Sequence, residues 1–122
     1  MPQKVVPMIH VPDVRATMEW YETIGFTVRR YNEEDGELNW ALLTFGESEI
    51  MFSSGGKPSQ EFRREFDLYI HTENVDKLYE RYKSAVDVVE APHDTFYGMR
   101  ELIIRDLNRF WITFGEPAGK QS

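Results

Sequence analysis

The sequence predicts an α+β protein built from two repeated βαβββ modules, which form a curved mixed sheet around a cavity with the helices outside. The stretch "YIHTENV" resembles "MIHVPDV" 61 residues upstream in a chain of 122 residues. Sliding the chain by 61 gives six identities in the 21 positions from Met8 to Val28. Both halves also show the same order of strand and helix patterns, on either side of the Gly- and Pro-containing stretch "SSGGKPSQ".

The first module is predicted to span residues 4–54. "KVVPMIHV" is rich in β-branched and apolar residues, which favours a first strand. Asp13 is a suitable N-cap for the helix whose apolar residues then recur at helical spacing, and Gly25 ends that helix. "FTVRRY", "LNWALLTF" and "EIMFSS" predict three further strands, joined by turns at Asp35-Gly36 and in "GES".

The second module is predicted to span residues 65–116, after a linker at 55–64 and before a frayed tail at 117–122. "EFRREF" is predicted to form a short helical turn, and "FDLYIHT" a strand. Asn74 is predicted to cap the helix, after which "VDVVE", "RELIIRD" and "FWITFGE" predict strands. "APHDTFYGM" is predicted as a loop and "LNR" as a turn.

The two modules are predicted to make one domain over residues 1–122. A module of about 55 residues buries too little surface to be stable alone, so two modules should pack together. Their sheets would then enclose a cavity, and such cavities are common ligand sites. The sequence leaves open whether the paired modules belong to one chain or to two.

Composition restricts the classes of function. The formal net charge of −7 argues against nucleic acid as a partner, because phosphates attract basic surfaces. The chain contains no cysteine, which excludes disulfides and thiolate chemistry. The start, "MPQKVVPMIHVPD", has no long apolar run. Neither a signal peptide nor a membrane contact is expected, and a cytoplasmic protein is predicted.

Two βαβββ modules with this order resemble the glyoxalase / bleomycin-resistance / extradiol dioxygenase (vicinal oxygen chelate) superfamily. The opening "VPDVRATMEWYETIGFTV" is similar to the family's strand-to-helix start, with "WY" at its aromatic pair and "IGF" at its "LGF" stop. The closing "YGMRELIIRDLNRF" matches the family pattern at Gly98, Arg100, Glu101 and Asp106. The family's "PDG" turn is replaced by "LNR", in which Asn108 is expected to take the left-handed conformation.

In metal-using members of this family, the resemblance implies a divalent ion held by side chains from the first and last strand of each module. Matching the motifs places the four positions at Val6, Phe52, Asp67 and Thr113, and each pair differs by 61. Zinc and related ions need imidazole, thiolate or carboxylate ligands, and only Asp67 could supply one. We therefore predict no metal ion and no other cofactor, as in metal-free bleomycin-resistance-like members.

Three histidines bear on this prediction. His10 and His71 are repeat mates, and two readings stay open for them: a displaced metal site, or hydrogen bonds to backbone or water at strand ends. Two imidazoles and one remote carboxylate make a weak ligand set. His93 is predicted to lie in a loop near the cavity mouth.

Aromatic side chains are predicted to line the cavity and to stack on a flat ligand. The predicted ligand-binding residues are Trp40, Phe52, Asp67, Tyr69, His93, Tyr97, Trp111 and Thr113. Asp67 is expected on the cavity side, where its carboxylate needs Arg100, water or a cationic ligand as a partner.

The favoured function is metal-independent binding of a small molecule, flat and aromatic or cationic, for sequestration as in antibiotic resistance or for sensing. No catalytic residue is assigned. The alternatives are a lyase, isomerase or dioxygenase with a degenerate or displaced metal site, and a structural module whose cavity is packed shut. A homodimer is predicted, because two-fold pairing is the commonest oligomer and the chain has much aromatic surface to cover.

Overall fold

The structure, a computed structural model, describes residues 4–59 and 64–119. The chain divides into two compact units, residues 1–59 and 60–122. Each unit contains one helix and one four-stranded sheet, which confirms the predicted α+β class with two βαβββ modules. The helical turn predicted at "EFRREF" falls largely outside the described residues.

The first unit contains β1 (Met8–His10), α1 (Val14–Thr23), β2 (Thr27–Glu34), β3 (Glu37–Phe45) and β4 (Ser48–Ser53). Its sheet order is β1-β4-β3-β2, with β1 parallel to β4 and the other neighbours antiparallel. β1 is shorter than predicted, since Pro7 has no N–H with which to continue the ladder. Asp35 and Gly36 have φ of 52° and 80°, as a tight hairpin turn requires, and this confirms the turn predicted there.

Helix α1 begins and ends where the sequence predicts. The Asp13 carboxylate accepts a hydrogen bond from the backbone N–H of Ala16 at 2.9 Å, which satisfies a donor that the helix leaves open. After Thr23 the chain leaves the helix at Gly25, whose φ of 107° carries no strain in glycine.

Tyr21 joins α1 to its sheet. Its ring centroid lies 4.8 Å from that of Phe52 on β4 and 5.1 Å from that of Phe26, and all three rings are buried. These contacts define the helix face of the first sheet. Because side chains alternate along a strand, Met51 and Ser53 point to the opposite side, which we call the far face of the sheet.

The second unit contains β5 (Asp67–His71), α2 (Val75–Tyr82), β6 (Asp87–Asp94), β7 (Met99–Arg105) and β8 (Trp111–Pro117). Its sheet order, β5-β8-β7-β6, repeats that of the first unit. The prediction of a loop at "APHD" is wrong, because His93 pairs with Glu101 and Asp94 with Arg100 in the β6–β7 ladder. Ala118 donates a backbone hydrogen bond to Gly98 at 2.8 Å, so the tail is not frayed directly after Pro117.

Charged side chains fix α2 on its sheet. The two carboxylate oxygens of Glu116 accept from the backbone N–H groups of Asn74 and Val75, each at 2.8 Å. Arg100 donates to both carboxylate oxygens of Asp76 at 2.9 Å and to Asp94 at 3.0 Å. Arg100 therefore lies on the helix face of the second sheet, where alternation also places the buried residues Leu102, Ile104, Ile112 and Phe114.

The internal repeat changes its offset within each sheet. His10 pairs with Ser53, and its repeat mate His71 pairs with Gly115, so the last strands are related by 62 residues and not by 61. The cause is a longer turn: residues 45–48 separate the pair Thr44 and Glu49, whereas residues 106–110 separate the corresponding pair in the second unit. One extra residue reverses which side chains face the helix.

Candidate functional site

The far face of the second sheet brings together six of the eight predicted ligand-binding residues. Register places Asp67 and Tyr69 on β5 beside Trp111 and Thr113 on β8, and His93 on β6 beside Glu101 on β7. Side chains in such rows are neighbours on one surface. Tyr97 reaches the same face from the β6–β7 loop, because its hydroxyl contacts Glu101.

Glu101 is the centre of this face. The residue is 3% exposed. The hydroxyls of Tyr69 and Tyr97 both donate to its Oε2, each at 2.8 Å. Hydrogen bonds to a charged acceptor are stronger than those between neutral groups, so the two donors hold the carboxylate in one orientation.

Gly115 allows this arrangement. A Cβ atom built on Gly115 would lie 2.1 Å from the hydroxyl oxygen of Tyr69 and 2.6 Å from its ring carbon Cζ. Gly115 stands between His71 and Glu101 in the sheet, so the Tyr69 side chain passes over it to reach the carboxylate. Any larger residue at this position would displace the tyrosine.

Both tyrosines remain hydrogen-bond donors at neutral pH. Burial of the hydroxyl, and then its hydrogen bond to Glu101, raise the pKa of Tyr69 well above its ordinary value. The hydrogen bond to Glu101 is the main cause that raises the pKa of Tyr97. The proton therefore stays on each phenol.

Two predicted site residues lie elsewhere. Trp40 is on the far face of the first sheet, where it pairs with Ser53 and occupies the place that Glu101 has in the second. The prediction that Phe52 lies on the cavity side is wrong: it is fully buried on the helix face against Tyr21. The motif match and the constant offset of 61 both predict that place for Phe52, whereas the shorter β3–β4 turn puts Met51 there instead.

Arg100 is wrong as a partner for Asp67, because Arg100 binds Asp76 and Asp94 on the opposite side of the sheet. Asp67 itself is exposed at the start of the edge strand β5. Asn108 is also not the left-handed residue of its turn; Arg109 is, with φ of 70°. Asp106 holds that turn by accepting from the N–H groups of Asn108 at 2.7 Å and Phe110 at 2.9 Å.

A groove of about 530 Å³ opens at the start of α2, away from the far face. Asp76, Asp94, Arg100 and Glu116 line it. These groups already bind each other or the α2 backbone. The groove is therefore explained by the interactions that fix α2, and we assign it no ligand.

Comparison with known proteins identifies the family. A profile of the Glyoxalase/Bleomycin resistance protein/Dioxygenase superfamily matches residues 5–114. The chain belongs to this superfamily. The sequence profile and the two βαβββ units of the structure thus agree on the fold.

Solved structures of this superfamily's fold match nearly the whole chain. TioX from Micromonospora sp. ML1 is 20% identical with a TM-score of 0.77, over 95% of this chain and 99% of its own. A bleomycin-binding protein complexed with bleomycin is 15% identical with a TM-score of 0.72, over 94% and 98%. A glyoxalase-related enzyme from Clostridium phytofermentans is 17% identical with a TM-score of 0.74, over 96% of each chain. Comparison with curated proteins gave no significant match.

The superfamily's metal site can be tested against the residues of this member. With the corrected register, its four positions hold Val6, Met51, Asp67 and Thr113. An alkyl group, a thioether, one carboxylate and one hydroxyl do not fit a catalytic divalent ion, which needs about three imidazole, thiolate or carboxylate ligands. Within residues 4–59 and 64–119, no group of three or more His, Cys, Asp or Glu side chains is arranged to hold a metal.

One of the two repeat-mate histidines, His10, makes the hydrogen bond to backbone that the non-metal reading expects. His10 ends β1, and its Nδ1 lies 3.0 Å from the carbonyl oxygen of Ser54. His71 ends β5 with its ring 5.1 Å from that of Tyr69. His10 and His71 belong to different units. The cavity between modules stays a prediction.

Sequence reasoning missed Glu101 and Gly115 as site residues. Glu101 matches the family's closing motif, and the offset of 61 residues also makes it the repeat mate of Trp40. Those two signals together indicate a position where the second module departs from the first. Its burial and its tyrosine partners depend on contacts 32 and 4 residues away along the chain.

No helix in the described part of the chain is long and apolar enough to cross a membrane.

Proposed function

We propose that this superfamily member binds an organic small molecule on the far face of its second sheet, without a metal ion, and acts by sequestration or sensing. The observation that carries the proposal is Glu101, a buried carboxylate oriented by two tyrosine hydroxyls. A polar group is expensive to bury, and a sheet does not need one there for its own ladder. Such a group among aromatic side chains is typical of a ligand site.

Two further observations support this function. The positions of the superfamily's metal ligands hold a donor set that does not fit a catalytic ion, so binding that depends on the protein's own side chains is favoured. Structures with this fold include a bleomycin-binding protein complexed with bleomycin and a bleomycin resistance determinant encoded on the transposon Tn5. Binding of an organic ligand is therefore compatible with this fold.

The test is a binding screen on the whole protein, labelled with ¹⁵N and kept in EDTA. Small aromatic compounds of neutral, cationic and anionic character are added one at a time, and backbone amide shifts locate any binding. At least one compound class should shift amides of β7 and β8. Trp111→Ala removes the indole and should lower the affinity for that compound about tenfold or more, as truncation of a central aromatic contact does.

Trp20→Ala is the matched control, because it removes an indole from α1 in the other unit. It should leave the affinity unchanged. Absence of any binding compound, binding that appears only when a divalent metal ion replaces EDTA, or shifts confined to other surfaces would each contradict the proposed function. Conversion of a bound compound to a product, detected by mass spectrometry, would instead favour the enzymatic alternative.

A further inference from the structure

Only one of the two carboxylate oxygens of Glu101 accepts hydrogen bonds from the described residues. Both tyrosine hydroxyls donate to Oε2, at 2.8 Å each. From the part of the chain that the structure describes, no hydrogen bond reaches Oε1. A carboxylate oxygen can accept two hydrogen bonds, so Oε1 retains acceptor capacity on the far face.

The bases nearest to Glu101 along β7 are engaged elsewhere. Arg100 points to the helix face, where it binds Asp76 and Asp94. Arg105 lies on the far face and forms an ion pair with Asp87. Among residues 4–59 and 64–119, no Lys, Arg or His forms an ion pair with Glu101.

This leaves a buried negative charge that tyrosine hydroxyls stabilise but do not neutralise. Two neutral donors recover part of the hydration that a buried carboxylate loses. The donors cannot pass their protons to it, because burial and the Glu101 contact itself raise the pKa of Tyr69. The site therefore offers a fixed anion, and a cation placed next to it would be attracted more strongly than in bulk water.

We propose that Glu101, held by Tyr69 and Tyr97, recognises an organic cation: a ligand that carries a protonated amine, amidinium or guanidinium group. The inference rests on the proposed function and names its ligand class. A ligand N–H donates to Oε1, while the aromatic body of the ligand lies against the Trp111 and Tyr69 side chains. The faces of these rings also attract a cation.

The same face holds a rival carboxylate. Asp67 lies two positions before Tyr69 on the edge strand, and it is exposed. Water screens an exposed carboxylate, so its attraction for a ligand cation is weak. Glu101 is buried and oriented, and it therefore discriminates between charged and neutral ligands more strongly than Asp67.

The experiment compares two probes of nearly equal shape, benzamidine and its neutral analogue benzamide. Each is titrated into the whole ¹⁵N-labelled protein, and dissociation constants come from amide shifts. In the wild type, benzamidine should bind about tenfold tighter than benzamide, the factor that corresponds to a hydrogen bond to a charged group. The benzamidine shifts should centre on the amides of Glu101, Gly115 and His93.

Three variants test the residues. Glu101→Gln should weaken benzamidine about tenfold and leave benzamide almost unchanged, so that the preference disappears. Glu90→Gln is the matched control, since it removes an exposed carboxylate from the same face, and it should keep the preference. Tyr97→Phe removes one of the two donors that orient the carboxylate, and it should reduce the preference without abolishing it, because Tyr69 still donates to Oε2. If Glu101→Gln does not fold, the proposal is tested by the wild type alone: benzamidine must bind more tightly than benzamide, and its amide shifts must centre on Glu101, Gly115 and His93.

Several results would overturn the inference. Equal affinity for the two probes, shifts centred on the groove at the start of α2, or equal losses of both probes in Glu101→Gln would each exclude charge recognition by Glu101. Loss of the preference in Asp67→Asn and not in Glu101→Gln would assign it to Asp67 instead. The proposed function survives these results if neutral compounds still bind the far face, whereas failure of every compound in the screen removes both proposals.

Discussion

Replacing Gly115 by alanine should destabilise the protein, although alanine is normally the better residue inside a strand. The added Cβ would lie 2.1 Å from the Tyr69 hydroxyl oxygen, 2.6 Å from Cζ and 2.9 Å from Cε1. No real contact of a Cβ is that short, so the Tyr69 ring must move by about an ångström or more. Such a shift breaks its 2.8 Å hydrogen bond to Glu101.

The magnitude follows from two opposing effects. A hydrogen bond to a charged group contributes about 1.5–3 kcal/mol, and Gly115→Ala removes one. Glycine loses more conformational entropy on folding than alanine, so the same substitution also stabilises the folded state by about 0.5–1 kcal/mol. The substitution should therefore lower the free energy of unfolding by about 1–2 kcal/mol in the wild type.

The background variant Tyr69→Ala isolates the cause, because it removes the side chain that the new Cβ would meet. There Gly115→Ala should be neutral or stabilising by about 0.5 kcal/mol. A double-mutant cycle from urea unfolding, followed by tryptophan fluorescence, should give a coupling free energy of about 1–2.5 kcal/mol. In Tyr69→Phe, where no hydrogen bond can be lost but the ring still has to move, the cost should be intermediate.

A second measurement reports the same event directly. Burial and the Glu101 contact raise the pKa of Tyr69, so its ionisation should be missing from the ordinary tyrosinate titration of the wild type near pH 10. In Gly115→Ala the pKa of Tyr69 should fall towards that of an ordinary tyrosine. If Gly115→Ala lowers the free energy of unfolding equally in the wild type and in Tyr69→Ala, the Tyr69 side chain does not pack over Gly115 and the reasoning is wrong.

Further expectations concern the core, a turn, an ion pair and the oligomer. Phe52→Ala should lower the free energy of unfolding by about 3–5 kcal/mol because the ring is fully buried, whereas Met51→Ala on the far face should cost clearly less in the same urea titration. Arg109→Gly should raise it by about 0.5–1 kcal/mol, since Arg109 is held at φ of 70°. The hydrogen bond from Arg100 lowers the pKa of Asp76 below its ordinary 3.8, so the stability of the wild type relative to Arg100→Gln should be constant from pH 7 to 5 and should shrink as the pH falls through 3.8. Light scattering at micromolar concentration should report a dimer of twice the 14.4 kDa chain mass, and a monomer at all concentrations would contradict the predicted homodimer.

Most of the fold could be predicted because its signals are local. Asp13 and Asn74 precede the helices and accept from backbone N–H groups three residues ahead. Asp35 and Gly36 adopt the positive φ values that a two-residue hairpin turn needs. Each of these features is fixed by a few consecutive residues, and the repeat then supplies the second copy.

The register of the last strands could not be obtained in the same way. A constant offset between modules assumes turns of equal length, and the turn before β8 has one residue more than the turn before β4. A strand has a period of two, so this single residue moves every side chain of the strand to the other face. Phe52 was therefore assigned to the wrong side, while Trp111 and Thr113, predicted from the second module itself, lie on the far face.

The candidate site shows the same limit at the level of contacts. Glu101 matches the family motif, but no local sequence pattern predicts that the Tyr69 hydroxyl bonds to it or that residue 115 must be glycine to leave space for the Tyr69 ring. Asp67 had the stronger sequence argument because it stands at a position of the family's metal ligands. The structure leaves Asp67 exposed and buries Glu101, and burial decides which of two carboxylates interacts strongly with a charge.

Comparison of the two units shows why the polar centre occurs in only one of them. Three residues in the strands form it: a tyrosine long enough to reach across the neighbouring strand, a glycine that leaves room for its ring, and a glutamate that accepts a hydrogen bond from its hydroxyl. Register gives their counterparts in the first unit as Met8, Ser53 and Trp40. A tyrosine in place of Met8 would meet the Cβ of Ser53, and a glutamate in place of Trp40 would lack its donors. The three positions therefore depend on one another. The two sheets share one strand order, and only a joint change at these three positions places an oriented carboxylate on the far face of one of them.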